Sequence, residues 1–125
     1  MKPLPALNDL DKAKLKKLVA DGRLIPALNN TKWSELIEEM LGGAEMKPQY
    51  RCRSVFAPPG YMTEWDGEWY YHIHPVAELE WVDLRATSEG WLRQTLRKHD
   101  IPFSSEQGVL RVWGYTRPGV QPFWV

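Results

Sequence analysis

A single cysteine, Cys52, stands in the whole sequence, which excludes an internal disulfide. One thiol and no disulfide framework point to a reducing, cytoplasmic setting. No apolar run reaches the roughly 18 residues that a membrane span needs. The opening stretch, Met1 to Lys12, has neither an apolar core nor a small-residue cleavage site. No secretory leader is therefore expected. There is no glycine-rich phosphate loop: "LGGAEMKP" (Leu41–Pro48) does not match one. Ser104, Ser105 and Cys52 sit in no nucleophile elbow, triad or Cys-His pattern. Repeats and low-complexity segments are also missing. Nothing in these absences calls for a cofactor.

Net charge is zero, but one sign is missing locally. From residue 64 to residue 84 there is no Lys or Arg, against the acids Glu64, Asp66, Glu68, Glu78, Glu80 and Asp83. Such a block disfavours nucleic acid as a direct ligand and suits a basic partner. Acids that merely solvate one face of a sheet are the plain alternative.

What is abundant is aromatic surface: seven Trp, five Tyr and three Phe in 125 residues. That length fits one domain, and rings of this size can fill its core. They cannot all be inside, so some should face outward.

Capping residues and periodicity place three helices. The first runs from about Asn8 to Ala20, with Lys12, Lys16 and Lys17 on its outer side. The second begins at Asn30 or Thr31 as cap and stops at Gly42–Gly43. Its apolar stripe is Trp33, Leu36, Ile37, Met40 and Leu41, opposed by Glu35, Glu38 and Glu39. The third starts from Ser88 and ends near His99. Between and after them, alternation predicts strands at Tyr50–Phe56 and Glu68–His74, and Glu78–Leu84, "IPFS" and Gly108–Thr116 read as further strands. Asp66-Gly67 reads as the turn of a hairpin. In its second strand Trp69, Tyr71 and Ile73 would oppose Tyr70, His72 and His74. Gly108–Thr116 is apolar on both faces, as a central strand should be. The tail, "RPGVQPFWV", is too interrupted to stay regular. The fold class is α+β: a single domain over 1–125, with a mainly antiparallel sheet of four to six strands and about three helices on one face. Residues 1–28 form an N-terminal helical extension and 29–119 the core.

Several constellations compete for a functional role. His72 and His74 could share a metal, since residues two apart on a strand point the same way. A zinc site needs three or four protein ligands, and only Cys52, His99 and Glu78 are on offer elsewhere. Glu64, Asp66 and Glu68 could be paired catalytic acids, but a hairpin tip is wet, and Asp66 has a role in the turn itself. Arg51, Arg53 and Arg111 beside aromatic rings resemble the surface of a single-strand binder. The neutral total and acidic centre oppose that use. The remaining reading is a docking patch of Glu64, Asp66, Glu68, Tyr70, His72, Glu78 and Glu80, where acids steer and rings hold a partner.

Four short runs, "NNTKW" (Asn29–Trp33), "WDGEW" (Trp65–Trp69), "IPFS" (Ile101–Ser104) and "GYTRPG" (Gly114–Gly119), together resemble an uncharacterised family of small bacterial proteins across about residues 29–119. That resemblance implies no chemistry. In size, class and aromatic content the chain also looks like the immunity proteins of bacterial toxin systems. The expectation is thus a non-enzymatic, cytoplasmic protein-binding module, with a basic toxin domain as partner. A metal-dependent or small-ligand enzyme centred on His72 and His74 is the alternative. A homodimer that uses the aromatic face on itself is a third.

Overall fold

Each helix begins where a short polar side chain takes up an orphan backbone N–H. Asn8 accepts from Asp11, Asn29 from Lys32 and Ser88 from Trp91. The computed structural model describes residues 7–125. Met1–Ala6, half of the stretch read as lacking a leader, lie outside the described residues. The helices are α1 (Asp9–Ala20), α2 (Asn30–Gly42) and α3 (Glu89–Lys98). The strands are β1 (Ile25–Pro26), β2 (Gln49–Ser54), β3 (Leu79–Arg85), β4 (Ser104–Glu106), β5 (Val109–Trp113) and β6 (Tyr115–Thr116).

Four strands make an antiparallel sheet in the order β2-β3-β5-β4. A separate two-stranded piece pairs β1 with β6. The class is therefore α+β, as the pattern of helices and strands predicts. Alternation along each strand sends one set of side chains to each face. Tyr50, Cys52, Val82, Leu84, Leu110 and Val112 meet Trp33, Leu36, Ile37 and Met40 of α2 and Leu92 and Leu96 of α3. That is the main core. Leu15 of α1 lies in a second cluster with Leu24 and Val55, flanked by Phe56 and Tyr115. So α1 is packed against the rest of the chain through apolar contacts.

The other sheet face is built from charge and rings. Register puts Arg51, Asp83, Arg111 and Ser104 in one row across the four strands. Asp83, fully buried, accepts from Arg51 Nε at 2.9 Å and from Arg111 Nε at 2.6 Å. The Arg111 guanidinium lies 3.7 Å from the Trp81 ring centroid, and Trp113 donates to Ser104 at 2.8 Å. The expectation of apolar residues on both faces of the central strand holds only with this amendment: the outer face is sealed by arginine stacked on tryptophan.

The predicted strand Gly108–Thr116 is cut at Gly114 into β5 and β6. The predicted hairpin at Asp66-Gly67 does not form, and Glu68–His74 is not a strand. Instead, Thr63 to Asp66 returns along the free edge of β2. Thr63 N donates to Cys52 O at 2.8 Å, and Tyr50 and Asp66 exchange bonds of 2.9 and 2.8 Å. Local side-chain bonds then outcompete a ladder. The Asp66 carboxylate accepts from Glu68 N at 2.8 Å. The Glu68 carboxylate accepts from Tyr70 N and Tyr71 N at 2.7 and 3.0 Å. The chain curls, so Trp69 and Ile73 point inward while Tyr71, which a strand would bury with them, is 70% exposed.

α2 and α3 are also joined by a polar lock. His99 places its two ring nitrogens 3.3 Å from Glu35 and 2.8 Å from Glu39, and Lys98 reaches Glu39 at 2.9 Å. Lys32 donates to the His99 carbonyl at 2.6 Å. The His99 hydrogen bond, then that of Lys98, holds the Glu39 carboxyl below its ordinary value, with burial opposing them. A carboxyl depressed on folding stabilises the fold fully above its unfolded pKa, and loses that contribution as pH falls through its folded pKa. Glu39→Gln is therefore expected to be less stable than the native chain near neutral pH. The gap should close in acid below about pH 4. Urea midpoints of both chains across that range check this; a gap that stays constant on acidification would remove Glu39 as its source.

Candidate functional site

The irregular segment between β2 and β3 carries most of the residues singled out by sequence. Its course is set by Arg53, which donates to the carbonyls of Ala57, Pro58 and Tyr61. Those bonds tie down the Pro58-Pro59-Gly60 corner. Beyond the corner, Tyr61 and Met62 face outward. Downstream, Thr63, Glu64, Trp65, Asp66, His72 and His74 line a shallow cavity of about 200 Å³ together with Tyr50.

The predicted contact residues fall into two sets. Glu64 and His72 are exposed, and Asp66, Glu68 and Tyr70 are half-buried around the same loop. Glu78 is mostly buried and lies 3.1 Å from His74 Nδ1. Glu80 is a correction: it is 7% exposed and faces Arg117 at 2.8 Å and Arg53 at 3.5 Å. A carboxylate enclosed by two guanidiniums of its own chain offers nothing to a partner. Asp83, also counted in the acidic block, is spent in the same way on Arg51 and Arg111. Within residues 64–84, the acids left nearest the surface are thus Glu64, Asp66 and Glu68. Sequence reasoning missed Tyr61 and Met62 and placed Tyr71 on the inner face; the proline-glycine corner was the one available signal for the first two.

Electrostatics argue against general-acid work by these carboxylates. Asp66 is held below its ordinary pKa first by the Glu68 backbone N–H, and also by His72. Glu68 is held low by the N–H groups of Tyr71 and Tyr70. A general acid needs the opposite shift. Cys52 is equally ill-suited as a nucleophile: burial pushes its thiol up to about 11. The three arginines considered for nucleic acid are engaged internally, Arg51 and Arg111 on Asp83 and Arg53 on Glu80 and the loop carbonyls. Arg51 and Arg85 also stack on Trp65, at 4.8 and 4.2 Å from its ring centroid.

The two histidines share a detail. His72 Nδ1 lies 2.9 Å from an Asp66 carboxylate oxygen, and His74 Nδ1 lies 3.1 Å from Glu78. Among the described residues, no group of three His, Cys, Asp or Glu side chains is placed to hold a metal ion. No described helix is long and apolar enough to cross a membrane.

A family model described as "Family of unknown function (DUF6678)" matches residues 15–119. The match starts inside α1, earlier than the expected boundary at residue 29. No curated protein and no solved structure matches the chain.

Proposed function

We propose a protein-binding role for this chain, which belongs to the DUF6678 family, a family of unknown function. One observation carries the reading. A segment without regular secondary structure is nevertheless pinned by its own side-chain hydrogen bonds, and it presents Tyr61, Met62 and Tyr71 beside Glu64 and Glu68. Rings held at the surface on a fixed backbone bind at low entropic cost. Asp66 and Glu68, held ionised by backbone N–H groups, speed the approach of a basic partner and set its orientation.

The concrete form is an immunity-type protein that occludes the basic cleft of a bacterial toxin. The contact surface is Tyr61, Met62, Glu64, Asp66, Glu68, Tyr70, Tyr71 and His72; Glu78, mostly buried beside His74, and Glu80, enclosed by Arg53 and Arg117, are removed from the expected patch. Co-expression with the product of the adjacent open reading frame tests this form. Growth restored by the native chain, and lost with Tyr61→Ala/Glu64→Lys/Tyr71→Ala, is the expected result. In vitro the triple variant should bind roughly 30-fold more weakly, two aromatic anchors at about 1 kcal/mol each. Its association rate should also depend less on salt. Equal affinity of native and triple variant would remove this surface from the interface. Light scattering covers the homodimer: a dimer that Tyr71→Ala dissolves would make a second copy the partner.

A further inference from the structure

His72 lies at the rim of the docking surface and His74 outside it, and their hydrogen bonds are alike. Each turns Nδ1 to a carboxylate of the same loop. An ionised carboxylate only accepts, so each Nδ1 must carry the hydrogen. In the neutral ring the lone pair then sits on Nε2. Among the described residues neither Nε2 has a hydrogen-bond partner in the protein. Both rings line the same cavity of about 200 Å³.

A histidine that donates one ring nitrogen to a carboxylate while the other is left open has the arrangement usual for a metal ligand, in which the carboxylate fixes the tautomer and raises ligand basicity. We propose that His72 and His74 together bind a divalent transition-metal ion through their Nε2 atoms, with Asp66 and Glu78 as orienting partners. Two imidazoles are too few for a structural zinc centre. Glu64 lines the cavity but does not complete a three-donor group. The ion therefore keeps water in its other positions. Imidazole donors with open positions rank Cu²⁺ above Ni²⁺ and Zn²⁺. This site shares Asp66 and His72 with the proposed contact surface, but it requires no partner, so metal binding is tested separately from protein binding.

The test is titration of the untagged chain with Cu²⁺, Ni²⁺ and Zn²⁺ by calorimetry, with electron paramagnetic resonance of the Cu²⁺ form. One ion per chain, Cu²⁺ tightest, and a spectrum with two nitrogen donors are expected. His72→Ala and His74→Ala should each remove one nitrogen and weaken binding at least tenfold. Asp66→Asn and Glu78→Gln should each cost about 10–100-fold through ring orientation. His72 is well exposed, so its alanine variant does not threaten the fold; far-UV circular dichroism of each variant confirms this. His99→Ala should leave binding unchanged. Binding that survives both His72→Ala and His74→Ala, a nitrogen count that does not fall, or loss of binding in His99→Ala would each overturn the site.

Discussion

Asp83→Ala is expected to lower the unfolding free energy by about 3–5 kcal/mol, among the largest effects of any single side chain here. The carboxylate is fully buried between Arg51 and Arg111 and accepts three of their N–H groups. Without it two guanidiniums face each other across the sheet with no counter-charge. They are not wholly buried, at 23% and 17% exposure, so water relieves part of the strain and the lower end of that range is expected. Asp83→Asn keeps an acceptor but loses the charge, and should cost less. The pair of variants separates loss of a hydrogen bond from loss of charge. Replacing all three residues with apolar side chains should recover much of the deficit, because the penalty lies in the unpaired charges rather than in a missing attraction. Urea unfolding of the set checks this; an Asp83→Ala chain within 1 kcal/mol of the native one would overturn the view of Asp83 as the keystone of that face.

The same substitution should reach the docking loop. Arg51 touches Asp83 on one side and the Trp65 ring on the other. Trp65 lies in the stretch that returns along β2 and lines the histidine cavity. Loss of Asp83 frees Arg51 and so loosens one of the two guanidiniums on Trp65, leaving Arg85 at 4.2 Å from the ring centroid. Partner binding and metal binding should both weaken in Asp83→Ala where the fold survives, and less in Asp83→Asn, which keeps an acceptor for Arg51.

That row of residues explains what could and could not be read from sequence. Helices α2 and α3 were legible because stripes and caps are local: Trp33 and Leu36 in one, Ser88 in the other, although the cap of α2 is Asn29 rather than the expected Asn30 or Thr31. Strand β2 was legible from alternation, β5 from its apolar residues on both faces, and β3, buried on both faces, was also read as a strand. The acidic block was misleading because charge along the chain is not charge on the surface. Antiparallel register brings Arg51 and Arg111, both outside the block, against Asp83. Arg53 and Arg117 do the same for Glu80. No window of sequence contains those pairs. The hairpin failed for a different reason. Asp66-Gly67 is a strong turn signal, yet Asp66 and Glu68 each had a backbone N–H two residues ahead to bind. Those bonds, plus an open edge on β2, outcompeted the second strand. Asp66 was rightly read as a turn residue, but the turn it makes is of another kind.

Gly114→Ala is the second large effect, and it acts through backbone. β5 ends at Trp113, and the chain must leave the main sheet at Gly114 to pair with β1 as β6. At that crossing the Gly114 N–H donates to Glu80 O at 2.8 Å, and its carbonyl accepts from Ala27 N at 2.9 Å. One residue thus joins both sheets. A methyl group on its Cα would overlap the Leu79 carbonyl oxygen and press on the Trp33 ring at 3.2 Å. The Trp33 ring could shift slightly; the Leu79 carbonyl belongs to β3 and cannot move without breaking the ladder beside it. Overpacking against a fixed backbone costs about 3 kcal/mol or more. Relief should come by parting β3 from the crossover, which would unpair β6 from β1 and loosen the cluster that holds α1. Hydrogen exchange is the discriminating measurement. The expected pattern is fast exchange at Ala27 and Gly114 with protection kept at Val82 and Val112 in the sheet centre. Uniform loss of protection would instead mean global unfolding without a local weak point, and native-like exchange at Gly114 would mean that the methyl group is accommodated and the crossover is looser than its packing indicates.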